Sequence, residues 1–477
     1  MSWPNRRAAA ACAAAGILCA CTTVGPNFSS PSAPAAKGYA MAGDEGASVA
    51  VLTAQARVAG PWWRSLGSSD LDAVMDRALA GNQSVAAAVA SLRKAREELA
   101  VARGDAAPKV DASAGAERAR INTEAFGISG FPSPTINLFS VGATVSYDLD
   151  LFGGQKRRIE SAAAMAEAQE RRADAAYLTL TGNVALQAVQ IAGLRARIAT
   201  LKAILADDRR AIDIVGAAEA AGGEAPSAST TGKAQLAEDE ALLPSLAQQL
   251  ARARHALALL VGEPTAAWAP PDFAFDAFTP PARIPVAIPS ALVRRRPDIL
   301  AAEADFHADV ARVGVATADL YPDIRLEAGF TQTALTPASL FSYASSGWYF
   351  GPALTTPIFH GGALRAEKRA AEAQARASLA QYRQTVLGAF TQVADALAAL
   401  AHDDDQIAAS SKAQSVAEAA LNDAWAAWRL GGGAFLAVVR AQRQLNRERL
   451  ALVEARGQRL ADVVNLYAAT AADWRGG

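Results

Sequence analysis

From Phe139 to Ala164 the chain reads FSVGATVSYDLDLFGGQKRRIESAAA. Up to Leu151 the residues alternate. Phe139, Val141, Ala143, Val145, Tyr147, Leu149 and Leu151 fall on one face of an extended chain, and Ser140, Gly142, Thr144, Ser146, Asp148 and Asp150 on the other. A period of two predicts a strand. Beyond Gly153 and Gly154 come Ala, Glu, Arg and Lys with no breaker, which predicts a helix. A near copy of this handover, IFHGGALRAEKRAA, begins about two hundred residues later at Ile358. Upstream of it Ile324, Leu326, Ala328 and Phe330 alternate with Arg325, Glu327, Gly329 and Thr331. The chain therefore carries two repeats, expected over 69–263 and 291–470. Each supplies two strands, at about 108–120 and 136–152 and at about 322–332 and 348–359, with loops around Ile121–Thr135 and Thr333–Gly347.

The helices after each handover are long. Tyr177, Leu180, Val184, Gln187, Ile191, Leu194, Ile198, Leu201, Leu205, Asp208, Ile212 and Val215 follow an unbroken 3-4 alternation, a heptad seam that implies left-handed supercoiling. From Gln155 to about Ala217 such a helix runs on the order of 90 Å, far beyond a globular helix. The turn AAGGEAPSASTTG reverses the chain, and Leu236, Asp239, Leu243, Leu246, Leu250, Ala253, Leu257 and Leu260 repeat the rhythm. Pro244 is placed to kink this return. The second repeat has the same plan: Leu364 to about Leu430, a turn GGGAF, and a return from Leu436 to Tyr467. A Pro-rich linker over 264–290 separates the repeats, and 471–477 form a tail. The first repeat opens near PWWRSLGSSDLDAVMDRAL, where Ser69 or Asp70 can cap a helix.

Half of the 477 residues are apolar and the formal net charge is −1, so neither disorder nor a basic nucleic-acid footprint is expected. The N-terminus departs from globular composition. Arg6 and Arg7 precede an apolar stretch, Ala8 to Leu18, too short to span a membrane. Leu18-Cys19-Ala20-Cys21 then resembles a bacterial lipobox, which implies a signal peptide over 1–20 and acylation of Cys21. One remaining cysteine leaves no disulfide. Residues 21–68, rich in Ser, Ala, Pro and Gly, read as an acylated tether.

A one-sided soluble sheet would show the same alternation as these strands. The setting separates the two readings. The segments are about ten residues long, as a tilted membrane strand requires, and the chain is exported. Four strands cannot close a membrane barrel, whose smallest members have about eight. A barrel shared by three copies would have twelve. The expected class is thus mixed, mainly α: four β-strands per chain in a membrane barrel shared by three copies, with two internal repeats of long antiparallel helical hairpins that continue the tube below.

Several phrases in order carry a resemblance: CTTVGPNF, WWRSLGSSDLDAVMDRALAGN, SYDLDLFGG, RRRPDILAAEADFHADVARVGVATADLYPDI, PIFHGGALRAEKRAAEAQA and AQYRQTVLGAFTQVADAL. Across nearly the whole mature chain the sequence resembles the TolC-like outer-membrane efflux proteins, in the lipoprotein branch serving resistance-nodulation-division (RND) pumps. The resemblance implies a homotrimer in outer-membrane lipid, with a trimeric 12-stranded outer-membrane β-barrel and a periplasmic α-barrel built from the helical hairpins, and with a periplasmic adaptor (membrane fusion) protein and an inner-membrane RND-type pump as partners. It also implies a passive duct exporting small molecules. By the same resemblance Gly222, Gly223, Gly431 and Gly432 mark helix-tip turns that meet the adaptor, and Leu436, Arg440 and Arg443 form a periplasmic gate. Arg440 departs from the family pattern, which usually has Asp there. The other reading kept open is a periplasmic coiled-coil lipoprotein with a structural or adaptor role and no pore. Such a scaffold has no use for four strands with apolar outward faces.

No catalytic chemistry stands out. His255, His307, His360 and His402 lack metal-ligand spacing. HDDD at His402–Asp405 reads as a solvated patch, and RRRPD at Arg294–Asp298 as a helix start. The GGG at Gly431–Gly433 lacks the Lys-Ser/Thr of a phosphate loop. No enzyme activity, cofactor, metal or nucleic acid is expected.

Overall fold

A computed structural model describes residues 23–32, 34–36, 38–41, 43, 50–53, 61–127, 130 and 132–470. The signal peptide, Cys21 and the C-terminal tail lie outside the described residues. The elements, in chain order, are β1 (Ala50–Thr53), α1 (Ser69–Gly81), α2 (Gln83–Asp105), β2 (Lys109–Arg120), β3 (Thr135–Asp148), α3 (Gly154–Ala220), α4 (Pro226–Glu240) and α5 (Leu242–Val261). They continue with β4 (Ile284–Ala287), α6 (Pro297–Ala318), β5 (Asp323–Ala334), β6 (Ser346–Thr355), α7 (Ala363–Arg429) and α8 (Phe435–Ala469). The order helix, two strands, long helix, return helix occurs twice, and α3 and α7 are both 67 residues long.

The described residues gather into two compact units. The first draws on Met1–Pro31, Ser91–Glu170 and Ala301–Tyr382. It holds the four-stranded antiparallel sheet β2-β3-β5-β6 and a small core of Val310, Val313 and Ala375 packed with Phe28 and Phe306. β3 stops at Asp148, short of the expected residue 152, because Asp150 takes a positive φ of 44° and its carboxylate accepts the Gln155 and Lys156 amides that open α3. β6 likewise ends at Thr355, where Pro357 offers no amide to a ladder.

The second unit draws on Ser32–Ala90, Arg171–Leu300 and Arg383–Gly477. Its core runs along the heptad seam. Leu180, Val184, Ile191, Leu194, Leu201 and Leu205 are buried, and so are Leu246, Ala253 and Leu257 of the return. The return is two helices rather than one, broken at Ala241. Pro244 cannot donate to the Glu240 carbonyl, which explains the break three residues before it. The cap of α1 is Ser68, one residue earlier than expected, its hydroxyl accepting from Leu71 N at 3.3 Å.

The expected tether and linker are not featureless, which corrects the compositional reading. Val24 N donates to Phe152 O at 3.0 Å, and the Phe28 ring stacks on His307 at 4.2 Å. Arg157, almost fully buried, donates to Val24 O and Asn27 Oδ1 and pairs with Glu160. In the second unit Trp62 stacks on Tyr467, Tyr39 donates to Ala287 O at 2.6 Å, and β1 pairs in parallel with β4 of the linker. Single aromatic anchors set among Ala, Ser and Pro give no period, so composition concealed them.

Candidate functional site

In the first unit the ladders align the strands so that, on the rungs near the helices, one face is apolar and the other mainly polar. Val110, Val145, Ala328 and Phe350 stand side by side, as do Ala112, Ala143, Phe330 and Trp348. On the opposite face lie the rows Lys109, Ser146, Glu327 and Gly351, and Asp111, Thr144, Gly329 and Tyr349. A missing side chain at Gly329 makes room for the Tyr349 ring, since a Cβ there would fall 2.3 Å from it. The apolar face is uncovered: Trp348 is 79% exposed, Phe350 72% and Leu354 64%. A continuous exposed apolar face of this kind is abnormal in water and marks a membrane or protein contact. β2 and β6 are the outer strands, so each presents an open edge among the described residues.

In the second unit the two helix-to-helix turns share one geometry. Gly222 has φ +76° and donates to Glu219 O, while Gly223 donates to Ala218 O. Gly431 has φ +72° and donates to Trp428 O, while Gly432 donates to Ala427 O. Each pair is a Schellman cap, in which the first glycine supplies the left-handed residue that closes the helix. The four glycines named from sequence therefore do the same work in pairs. An aromatic cluster missed in the sequence holds the turns together. Trp425, Trp428 and the buried Phe435 meet edge to face with centroids 5.5–6.1 Å apart, and Trp428 Nε1 donates to Glu224 of the other turn. The spacing of these aromatics around GGG was its only signal.

Along α8 the buried face carries Phe435, Val438, Gln442, Leu445 and Asn446. The exposed face carries Leu436, Arg440, Arg443 and Arg447 at helical spacing. Arg443 pairs with Glu238 of α4 at 2.8 Å. Arg440 has no ion pair among the described residues. Beneath this stripe, Asn446 Nδ2 donates to both Asp208 Oδ1, at 3.3 Å, and Asp239 Oδ2, at 3.1 Å. Burial, then the hydrogen bond and charge of Asp239, push the Asp208 carboxyl up to about 7. In the sequence Asp208 is a polar residue at a seam position. The pairing across three helices was not visible there.

Among the described residues no helix is long and apolar enough to cross a membrane. The family model for outer membrane efflux proteins matches residues 74–263 and 288–472. The pyoverdine export outer membrane protein OpmQ of Pseudomonas aeruginosa is 31% identical over 418 residues, 87% of each chain. Outer membrane protein OprJ of the same organism is 30% identical over 461 residues, covering 96% of this chain and 94% of that one. The solved outer-membrane channel OprN superposes with a TM-score of 0.85 at 27% identity, covering 95% of this chain and all of that one. The two matched segments correspond to the two repeats, each with a strand pair and a long helical hairpin, and on these grounds the chain belongs to the outer membrane efflux protein family.

Proposed function

We propose that the chain is one third of a passive outer-membrane duct. Three copies would join their sheets edge to edge into a twelve-stranded barrel, with the apolar face toward lipid and the Ser, Thr, Glu and Gly face toward water. The observation that carries this reading is the four-stranded sheet with one exposed apolar face and two open edges. A scaffold without a pore would leave that face without an explanation. The helical hairpins would extend the duct into the periplasm. The turns at Gly222, Gly223, Gly431 and Gly432 would meet a periplasmic adaptor protein, and an inner-membrane pump of the RND type would supply the free energy and choose the cargo. Leu436, Arg440 and Arg443 would ring the narrow end. Cys21 would carry the acyl chains that add a second hold on the membrane. Nothing in this role calls for an active site, and we read the chain as a conduit rather than an enzyme.

Purification of the full chain in detergent tests this directly. The expected result is a trimer that conducts in planar bilayers, with Cys21→Ser still assembled and membrane-bound. A Cys21→Ser protein released as a soluble monomer would overturn the barrel reading and favour the scaffold.

A further inference from the structure

The apolar face of the sheet changes chemistry at one end of one hairpin. On β3 it runs from Tyr147 through Val145, Ala143 and Val141 to Phe139, and on β2 from Val110 to Ala116. The next two rungs on that face break the pattern, since Arg118 pairs with Asn137 and Arg120 with Thr135. From Tyr147 to Asn137 is about 34 Å along the strand, or about 26 Å of height at a tilt of about 40°. The apolar band of a membrane barrel is about 25 Å tall and is bordered by aromatic residues. Tyr147 therefore marks one border of the band, and Arg118 stands at the other, away from the helices that enter and leave the hairpin.

Both arginines are exposed, and neither has an ion pair or a side-chain hydrogen bond among the described residues. The acidic residues next to them in sequence do not neutralise them. Glu117 lies on the opposite face, paired with Leu138, and Glu124 sits in the following loop. Two like charges on alternate residues stand about 7 Å apart and repel one another. A general need for charge at strand ends does not explain the pair, because it would apply to both repeats. Lys109 and Asp323 each open a strand directly after a proline, and counting from them the equivalent positions of the second repeat hold Gln332 and Ala334. The loop that follows there, 333–346, contains no charged residue.

Resting on the barrel reading above, we propose that Arg118 and Arg120 of each copy form a docking site for the phosphate groups of a glycolipid in the outer leaflet. Position, charge and the surface below them agree on that occupant. The pair lies at headgroup level on the face toward lipid, a depth at which an arginine costs little. A guanidinium keeps its charge at any physiological pH, and its fork matches two phosphate oxygens at once. Asn137 and Thr135, opposite the pair, add an amide and a hydroxyl to the same patch. Directly below, Ala116 and Phe139, then Ala114 and Val141, offer apolar surface to acyl chains. One lipid molecule uses both parts of this surface, whereas free phosphate uses only the first.

Lipid binding to the full-length protein in detergent tests the site. The probe is lipopolysaccharide with a bisphosphorylated lipid A, titrated beside the same glycolipid after removal of its phosphates. The wild-type protein should bind the phosphorylated form about ten-fold or more tightly, through charge-assisted hydrogen bonds, with a smaller difference at high salt. Arg118→Gln with Arg120→Gln should abolish that preference in a protein that is still a conducting trimer. Arg93→Gln with Lys94→Gln removes the same charge from exposed positions of α2 and should leave the preference intact. A preference that survives in the Arg118/Arg120 variant, or that is lost equally in both double variants, overturns the site. So does displacement of the glycolipid by millimolar inorganic phosphate, which would mark a site for free anions. Equal affinity of the wild type for the two glycolipids overturns it as well, and that comparison holds even where the arginine variant fails to assemble. A full-length wild-type protein that neither trimerises nor conducts overturns the barrel reading itself.

Discussion

The seam of α3 and the outer face of the sheet are built from similar residues and have opposite fates. Leu180, Val184, Ile191 and Leu201 are buried by helices of their own chain. Trp348, Phe350 and Leu354 are not covered by anything among the described residues. Periodicity gives the apolar face in both cases. It does not say what that face will meet. The helical unit buries its apolar seam in its own core, whereas the sheet leaves its apolar face to be covered from outside the chain, by lipid in the barrel proposed above.

That contrast can be broken by substitution. The largest effect is expected in the seam. Leu201 is fully buried, and Leu201→Ala should destabilise the helical unit by about 2–5 kcal/mol, through lost transfer energy and the cavity left behind. Thermal unfolding in detergent measures it, and a change below about 1 kcal/mol would mean that the seam is not continuously packed.

A nearly equal effect is expected in the sheet, with membrane insertion as its readout. Val145→Arg and Leu326→Glu place charge on the apolar face, and Arg near the midplane of a bilayer costs about 2–4 kcal/mol. Thr144→Arg and Glu327→Lys alter the other face on neighbouring rungs and should be mild. Assembled protein recovered from outer membranes is the measure. Equal loss from both pairs would show that the faces are assigned the wrong way round or that neither meets lipid.

The sequence carried these faces because alternation over ten residues and a 3-4 rhythm over forty are long signals. Strand and helix ends were read within a few residues; the early end of β3 has a local cause, the positive φ at Asp150, and the interruption of the return helix at Ala241 agrees with the kink expected from Pro244. What remained hidden were contacts between distant segments. Arg157 holding Val24 and Asn27, Trp428 bonded to Glu224, and Asn446 bridging Asp208 and Asp239 each join residues more than 120 positions apart. A single sequence has no term for such pairs.

The Asp208 bridge sharpens the comparison from the helical side, because it is a polar group in the seam rather than an apolar group in lipid. Its surroundings are Asp239, with Gln235 as donor, and Asn446, with Gln442 as donor. Asp207, Arg210 and Arg449 form an adjoining ion-pair cluster. A folded pKa near 7 against an unfolded 3.8 means that the folded state holds a proton the unfolded chain gives up. This contribution is complete below about pH 4 and is lost as pH rises through 7, by on the order of a few kcal/mol. Asp403, pushed up to about 6 by burial and Asp462, adds a second step in the same direction. Asp208→Asn should therefore raise the melting temperature at pH 8 and flatten most of the slope between pH 4 and 7. A variant with the full wild-type slope would place the proton elsewhere.

Smaller again is the effect at the turns. Gly222 and Gly431 are open to solvent, so an added methyl meets nothing and only the left-handed backbone is strained. Gly222→Ala or Gly431→Ala should each cost about 1 kcal/mol. A much larger loss would show that a partner surface lies against the turn.

The smallest effect on stability is expected at Arg440, where the effect on function is largest. The side chain is exposed and without an ion pair among the described residues, while Arg443, one turn along, is held by Glu238. Arg440→Asp should change stability by no more than about 0.5 kcal/mol, as surface substitutions do. In a three-fold ring the outcome differs, because three guanidinium groups at a narrow point attract anions and repel cations. Each close pair of such charges costs about 1 kcal/mol or more, depending on solvation, so a closed state would need counter-charges that an open one does not. Single channels should prefer anions at low salt and lose that preference as screening shortens the field to about 8 Å at physiological ionic strength. Arg440→Asp should reverse the preference, read as a change of sign in the reversal potential under a salt gradient. Arg443→Asp should do so less, since its charge is already partly matched. An Arg440→Asp channel with the wild-type reversal potential would place this side chain away from the axis and leave Leu436 to narrow the duct alone.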